Sequence, residues 1–362
     1  MTNVLIHRNQ TAISLWLFFC LFLVASMVFV GGYTRLSGSG LSITEWAPIH
    51  GVIPPMNAGE WQEEFDAYRA SPQYQKINKG MSLDEFKAIY WPEYWHRILG
   101  RLIGFTFLFP LLYFAATGAL SKRFGWRLFA IFALGGLQGL VGWLMVKSGL
   151  QDNPYVSHLK LALHLSIAFV IFSLLLWALL DLVSSRRSLV TSRQSPATNN
   201  WQPATYKIWF LLLWAQIILG AFVAGQHGGL VYNTWPTMNG DWLPPDLINP
   251  HVVWHENITF VQFLHRKLAI FLCVSYLFWW FFGRSYVKNN ALGGLALAAA
   301  LVMLLQFALG VFTLLHHVPL NLALAHQMTA LALLGVCVCL LYRLVRLNNE
   351  LRAPVSTSYR PA

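Results

Sequence analysis

Eight stretches of the chain are almost continuously apolar, and each is long enough to cross a membrane. A helix needs about 20 apolar residues to span ~30 Å of hydrocarbon. A chain in contact with lipid must satisfy its own backbone hydrogen bonds, and the alternating pattern of barrel strands is absent, so these stretches predict transmembrane α-helices. They cover residues 13–32, 94–119, 126–146, 158–180, 206–225, 259–282, 291–315 and 321–344.

Composition agrees with a membrane protein and excludes a soluble enzyme or a disordered chain. Of the 362 residues, 56% are hydrophobic and only 11% are charged, which is far from an ordinary soluble composition. The chain has 25 basic and 14 acidic residues, giving a net charge of +11. In a soluble protein this excess would raise the question of nucleic acid, so the position of each charge decides what it means.

The charges separate by side of the predicted membrane. Fourteen of the 25 basic residues fall in the loops and tails of one side, where the only acidic residues are Asp181 and Glu350, and the other 12 acidic residues fall on the opposite side. By the positive-inside rule both termini are cytoplasmic, and the basic excess reports topology, with membrane lipid and no nucleic acid as partner. Two long exoplasmic loops, 33–93 and 226–258, contain Trp and Pro-Pro signals and are predicted to form compact caps.

The second half of the chain repeats the first, which predicts its domain organisation. YWHR at 94–97 returns as FLHR at 263–266, LQ at 137–138 with Gly142 returns as LQ at 305–306 with Gly310, and LALH at 161–164 returns as LALAH at 322–326. Four crossings bring the chain back to its starting side. We therefore predict an all-α integral membrane protein made of two tandem four-helix bundles, related by a pseudo-two-fold axis along the membrane normal. The predicted units are the N-terminal half (1–183), a cytoplasmic linker (184–205), the C-terminal half (206–347) and a cytoplasmic tail (348–362).

A histidine lies near the exoplasmic end of every even-numbered predicted helix. Each is within about two turns of the helix start, so the four should lie at similar depth. One intramembrane histidine is usually a core residue bonded to a neighbour, but four at one depth, duplicated by the repeat, favour a function. The four are His96, His164, His265 and His326.

Two imidazoles per bundle suit an iron porphyrin better than zinc or copper. Zinc prefers three or four ligands, and no third ligand recurs in both halves. A copper site is possible, but the two halves have no Met or Cys at matching positions. Haem iron takes two axial ligands from opposite faces, and glycines could leave room for the macrocycle. Close packing of helices is the alternative interpretation of these glycines. They are Gly100, Gly104, Gly139, Gly142 and Gly310.

Three charged residues adjoin the histidines. Arg97 and Arg266 directly follow His96 and His265, where they could pair with haem propionates or simply reach to the membrane surface. Glu93 lies one turn before His96, and a partly buried carboxylate there could accept a proton. The aligned residue in the second half is a glutamine, which cannot. The alternative for Glu93 is an exposed acid at a helix N-terminus.

These motifs together resemble the haem A synthase family, in the branch shared by proteobacteria and mitochondria. The resemblance covers nearly the whole chain apart from the terminal tails and the central cytoplasmic loop. It is carried by GGYTRLS at 31–37, WAP at 46–48, EYWHR at 93–97, and the later His164, HR at 265–266 and His326.

The resemblance implies an oxidoreductase of the inner (plasma) membrane with its haem sites toward the exoplasmic side. Such an enzyme oxidises a methyl group of haem O to a formyl group by successive hydroxylations, making haem A for terminal cytochrome oxidase. By this resemblance His265 and His326 ligate a permanent haem b, His96 and His164 hold the iron of the substrate haem, and Glu93 acts near the reacting methyl. The implied partners are haem O, a haem O synthase (a farnesyltransferase) and an electron acceptor that the sequence does not identify; homo-oligomerisation is left open.

Two other classes compete with this interpretation. A bis-His di-haem transmembrane electron-transfer cytochrome would also pair histidines, but charge transfer across a membrane favours ligands near both surfaces, whereas all four lie near one. A transporter built on a parallel repeat would bind its substrate near the midplane, where this chain has no acidic pair.

Overall fold

The chain folds as an all-helical protein in the computed structural model, which describes residues 2–45, 50–151, 153–186, 201–289 and 291–352. Its α-helices are α1 (Thr2–Leu36), α2 (Ala58–Arg69), α3 (Pro72–Lys76), α4 (Leu83–Ala116), α5 (Lys122–Gly149), α6 (His158–Arg186), α7 (Trp201–Gly225), α8 (Ile258–Phe282), α9 (Arg284–Asn289), α10 (Gly293–Leu315) and α11 (Leu320–Arg352). Three short 3₁₀ turns, His50–Val52, Gly228–Leu230 and Pro245–Leu247, lie in the connecting loops.

Eight of these helices are long and apolar enough to cross a membrane. They are α1, α4, α5, α6, α7, α8, α10 and α11. The predicted all-α membrane class and the predicted number of spans are therefore confirmed within the described residues. Most of the predicted linker, from residue 187 to 200, and the end of the predicted tail, from residue 353, lie outside those residues, as does the WAP segment at 46–48.

Helix α4 begins earlier than the apolar pattern predicts. The pattern places its start at residue 94, but the helix begins at Leu83, after a capping box in which Ser82 and Glu85 bind each other's backbone N–H. The first turns carry polar residues on one side, so hydropathy does not detect them. Their apolar residues, such as Phe86, pack against the external loop. The predicted 33–93 loop is consequently only 37–82.

This shorter loop forms a compact cap, as predicted. Helices α2 and α3 lie within it, and α2 packs against α4. Asn57 caps α2 and Ser71 caps α3, each accepting a backbone N–H with its side-chain oxygen. A cluster of buried aromatic side chains joins the cap to the outer turns of α4, and consists of Phe65, Tyr68, Tyr74, Phe86, Tyr90 and Tyr94.

Each half of the chain closes into a ring of four membrane helices. In the first half α1 packs on α4, α4 on α5, α5 on α6, and α6 on α1. In the second half α7 packs on α8, α8 on α10, α10 on α11, and α11 on α7. The helices that carry the histidines therefore stand diagonally, α4 opposite α6 and α8 opposite α11. This packing agrees with two tandem bundles, while the pseudo-two-fold axis stays a prediction.

The two rings meet where α1 and α6 pack against α7 and α11. Apolar side chains fill this contact, and a few polar groups cross it. Gln327 donates to the carbonyl of Val28 (2.8 Å), and Tyr342 donates to the carbonyl of Leu180 (3.2 Å). A buried donor is expensive to leave unpaired, so these bonds fix how the two rings sit together.

Candidate functional site

Each predicted histidine packs its ring against a glycine of a neighbouring helix. A Cβ added to that glycine would approach the ring closer than side chains normally do, so only glycine leaves the ring in its place. The pairs, with the distance from the added Cβ to the nearest ring atom, are Gly31 with His96 (3.1 Å), Gly142 with His164 (2.8 Å), Gly220 with His265 (3.0 Å) and Gly310 with His326 (2.9 Å). A glycine thus faces each of the four histidine rings, twice in each four-helix ring. Three of the glycines face the Cε1 edge of the imidazole, and Gly31 faces the Nε2 edge of His96.

The histidines form one pair in each ring. His96 on α4 and His164 on α6 belong to the first ring, and His265 on α8 and His326 on α11 belong to the second. All four residues are half-buried, so part of each side chain remains accessible. Because the members of a pair come from diagonal helices, they approach the middle of the ring from opposite sides.

The position of His96 along its helix differs from the prediction. His164, His265 and His326 lie within the first two turns of α6, α8 and α11, as predicted, but His96 lies in the fourth turn of α4. The outer turns of α4 belong to the cap.

The glycines predicted to leave space fall into two groups. Gly142 and Gly310 pack on histidine rings, as described above. Gly104 and Gly139 have no atom of the described residues within 4 Å of an added Cβ, so close helix packing does not explain them. A Cβ added to Gly100 would lie 3.5 Å from the terminal methyl of Met27, which is an ordinary van der Waals contact.

A glutamine stands one turn before three of the four histidine-contacting glycines. Gln216 Nε2 lies 3.4 Å from His265 Nε2, and Gln306 Nε2 lies 3.3 Å from His326 Nε2. The Oε1 atoms of Gln138, Gln216 and Gln306 are buried without a hydrogen-bond partner in the described part of the chain. A buried unpaired acceptor costs about 1–3 kcal/mol, so each of these amide oxygens needs a hydrogen-bond donor that the described side chains do not supply.

Sequence reasoning noticed these glutamines only in part. Gln138 and Gln306 entered as members of the repeat, with no role, and Gln216 was missed. The spacing Gln-x-x-x-Gly, at 138–142, 216–220 and 306–310, is the signal that identifies all three.

Glu93 is buried and fully hydrogen-bonded. It is 3% exposed and lies in the third turn of α4, so the alternative of an exposed acid at a helix N-terminus is wrong. Ser42 donates its backbone N–H and its hydroxyl to Oε2, both at 2.7 Å, and Ile43 donates its N–H at 3.0 Å. Oε1 pairs with Arg97 Nη2 at 2.8 Å. The carboxylate therefore ties α4 to the first residues of the cap.

Gln262 occupies the aligned position of the second half with the opposite polarity. Its Nε2 donates to the carbonyls of Gly228 (2.9 Å) and Tyr232 (3.2 Å). Glu93 accepts from backbone N–H groups, whereas Gln262 donates to backbone carbonyls. The two halves therefore differ both in this residue, Glu93 or Gln262, and in the loop groups that face it, which are N–H groups in the first half and carbonyls in the second.

Both arginines bind the loop that follows the first helix of their own half. Arg97 donates to the carbonyls of Ile43 (2.8 Å) and Glu45 (3.0 Å). Arg266 donates to the carbonyls of Thr234 (2.8 Å) and Thr237 (3.2 Å). Arg266 is only 8% exposed, and its Nε has no partner among the described residues. Both arginine side chains therefore bind loop carbonyls, and neither simply extends toward the membrane surface.

A cleft of about 340 Å³ adjoins Arg97. Helix α5 lines its other side with Trp143, Val146 and Lys147. Glu45 also lines the cleft, so two cations face one acid there. The remaining positive charge suits an anionic group such as a carboxylate. The prediction that Arg97 binds a propionate is compatible with this arrangement.

The fold and the site together define a class of protein: a multi-pass membrane protein with a histidine pair in each of two four-helix rings. Residues 14–338 match the family model COX15-CtaA, cytochrome oxidase assembly protein. The chain therefore belongs to this family.

Individual relatives align over nearly their full length. The haem A synthase of Parvibaculum lavamentivorans is 44% identical over 93% of this chain and 96% of its own length. The haem A synthase of Nitrosospira multiformis is 44% identical over 95% of this chain and 94% of its own. That of Paramagnetospirillum magneticum is 44% identical, over 94% and 95% respectively.

Proposed function

We propose that this protein is a haem A synthase, which oxidises a methyl substituent of haem O to a formyl group for use in terminal cytochrome oxidase. The first hydroxylation gives an alcohol, and the second gives a gem-diol that loses water to become the aldehyde. The net change, –CH₃ plus H₂O to –CHO, releases four protons and four electrons. The observation that carries the proposal is the histidine pair in each ring, with a glycine against every imidazole. The name shared by the relatives supports the activity.

His265 and His326 would hold a resident haem b. The fit rests on Gly220 and Gly310, which leave room for the two imidazole rings. A haem bound there supplies a one-electron redox centre.

His96 and His164 would hold the iron of the substrate haem. Gly31 leaves room beside the Nε2 edge of the His96 ring, and Gly142 leaves room beside the Cε1 edge of the His164 ring. Arg97 and Lys147, which line one cleft, would neutralise propionate groups of the substrate. Arg266 would do the same for the resident haem through donors that its loop carbonyls leave free.

Glu93 would accept a proton released during methyl oxidation. It is the carboxylate one turn from His96, and the second half has Gln262 in its place. Three donors from Ser42 and Ile43 hold its Oε2, and Arg97 holds its Oε1, so the group is fixed in orientation. A fixed carboxylate needs little rearrangement before proton transfer.

The histidine sites would lie toward the exoplasmic side, with both termini in the cytoplasm. The charge separation in the sequence supports this orientation. Arg127, near the start of α5, forms an ion pair (2.5 Å) with Asp181, near the end of α6, so these two helix ends lie on the same side. We expect a fluorescent protein fused to either terminus to be fluorescent, and alkaline phosphatase fused there to be inactive. Active phosphatase at either terminus would reverse the assignment.

A direct test of the activity uses a host that makes haem O but lacks its own haem A synthase. Expression of this chain should produce haem A in the membranes, measured by chromatography of extracted haems. Accumulation of haem O alone, with the protein present in the membrane, would refute the proposed function.

Gly310→Ala should weaken haem b binding, since its Cβ would lie 2.9 Å from His326 Cε1. Gly294→Ala, in the same helix, is the matched control because no described atom lies within 4 Å of its added Cβ. The gain in helix propensity is about 1 kcal/mol for Gly310, in the helix interior, and smaller for Gly294, in the first turn, so propensity favours the variant that we expect to lose haem. We expect Gly310→Ala to reduce haem b affinity about 10-fold or more, measured by titration of the low-spin absorbance. Equal affinity in the two variants would show that the glycine does not position the ring.

A further inference from the structure

One of the four glycine–histidine contacts lacks its glutamine. Gln138, Gln216 and Gln306 each stand four residues before a histidine-contacting glycine. In α1 the residue four before Gly31 is Met27. The first ring therefore has one flanking glutamine and the second ring has two.

The missing amide changes what His96 can bind. In the second ring Gln216 Nε2 donates to the carbonyl of His265 at 3.0 Å and lies close to that residue's Nε2. This bond ties the histidine's own backbone to α7. A thioether has no N–H, so Met27 cannot make the equivalent bond to His96.

Met27 lies beside α4, next to Gly100. Its methyl group lies 3.5 Å from a Cβ added to Gly100, one turn after His96. The residue one turn after His265 is Ala269. Met27 replaces a polar tether by a flexible apolar side chain, since methionine has several rotatable bonds and a polarizable sulfur.

Polar partners around a ligating histidine strengthen its bond to the metal, and losing one typically lowers affinity by about 10–100-fold. In the second ring each histidine has a glutamine amide beside its Nε2, at 3.4 and 3.3 Å, whereas α1 offers no amide to His96. The second site should therefore retain its haem, and the first should release it more readily. An enzyme whose substrate and product are themselves haems needs one site of each kind.

We propose that Met27 makes the first-ring haem site exchangeable, and that Gln216 and Gln306 make the second-ring site retentive. The inference rests on the proposed function, because it assigns substrate exchange to the first ring. Met27 thus determines how long an iron porphyrin stays bound in the first ring.

The test is haem release from the purified full-length protein to excess apomyoglobin, followed by absorbance. The wild type should release haem in a fast phase from the first ring and a slow phase from the second. Met27→Gln, a change of similar side-chain length, should slow the fast phase about 10-fold or more, and Met27→Leu should leave it fast. The reciprocal Gln216→Met should accelerate the slow phase by a similar factor.

The outcomes separate this inference from the function on which it rests. Two clear phases that neither Met27→Gln nor Gln216→Met changes would overturn the role of Met27 and leave the synthase proposal standing. A wild-type protein that binds no haem would overturn both. If Met27→Gln fails to fold, as judged by loss of the low-spin haem b spectrum, the Gln216→Met result alone decides: an unchanged slow phase rejects the proposal and a faster one supports it.

Discussion

Glu93→Gln should stop haem A formation while haem b remains bound. The amide keeps the size of the side chain but cannot accept a proton at neutral pH, and general-base groups typically contribute about 10²–10⁴-fold to rate. Haem b should survive because His265 and His326 belong to the other ring. The measurements are the haem A content of membranes by chromatography and the low-spin haem b absorbance of the purified variant. Normal haem A output would refute the assignment of Glu93.

A structural effect of the same change can be separated from a chemical one. Glu93 also holds the start of the cap, through Ser42 and Ile43. Ser42→Ala removes the hydroxyl bond to Oε2 but keeps the carboxylate and the backbone bonds, so its haem A output should stay within a few-fold of wild type. If Ser42→Ala were as damaging as Glu93→Gln, Glu93 would act by holding the cap in place.

The two histidine pairs should respond differently to substitution. His265→Ala or His326→Ala should abolish the low-spin haem b spectrum, because loss of one axial ligand leaves the iron with a single protein ligand. His96→Ala should keep that spectrum and lose turnover instead. The comparison uses absorbance spectra and haem A content of the same purified variants. Identical spectral loss from substitution of any of the four histidines would indicate two equivalent structural haems.

The number of membrane helices follows from sequence because apolar length alone decides it, but helix ends do not. The start of α4 at Leu83 depends on the capping box of Ser82 and Glu85 and on aromatic packing with the cap. Residues 83–93 bury their apolar side against protein and carry charges such as Asp84 on the other side. A hydropathy pattern cannot distinguish such a segment from a polar loop.

The histidines of the site were predictable because duplication placed equivalent residues in both halves. The glycine against which each imidazole packs was not predictable, because it depends on which helices become neighbours. Gly220 illustrates this point: it lies 45 positions before His265 and enters the site only through packing of α7 on α8. The Gln-x-x-x-Gly spacing was nevertheless present in the sequence.

Contacts between the site and the cap lie beyond any local pattern. Ser42 reaches Glu93 across 51 positions of sequence. Arg97 looked equally suited to a propionate or to the membrane surface, and the structure adds a third partner, the carbonyls of Ile43 and Glu45. Such bonds depend on the path of the loop, which turn residues restrict but do not determine.

The central claim is that one ring binds a resident haem while the other binds a haem that the protein oxidises. The most direct measurement is chromatographic identification of the haems extracted from the purified protein. We predict haem b together with haem O or haem A, in separate peaks. Two equivalents of haem b and no other haem would instead indicate a di-haem electron-transfer cytochrome, and would contradict the account.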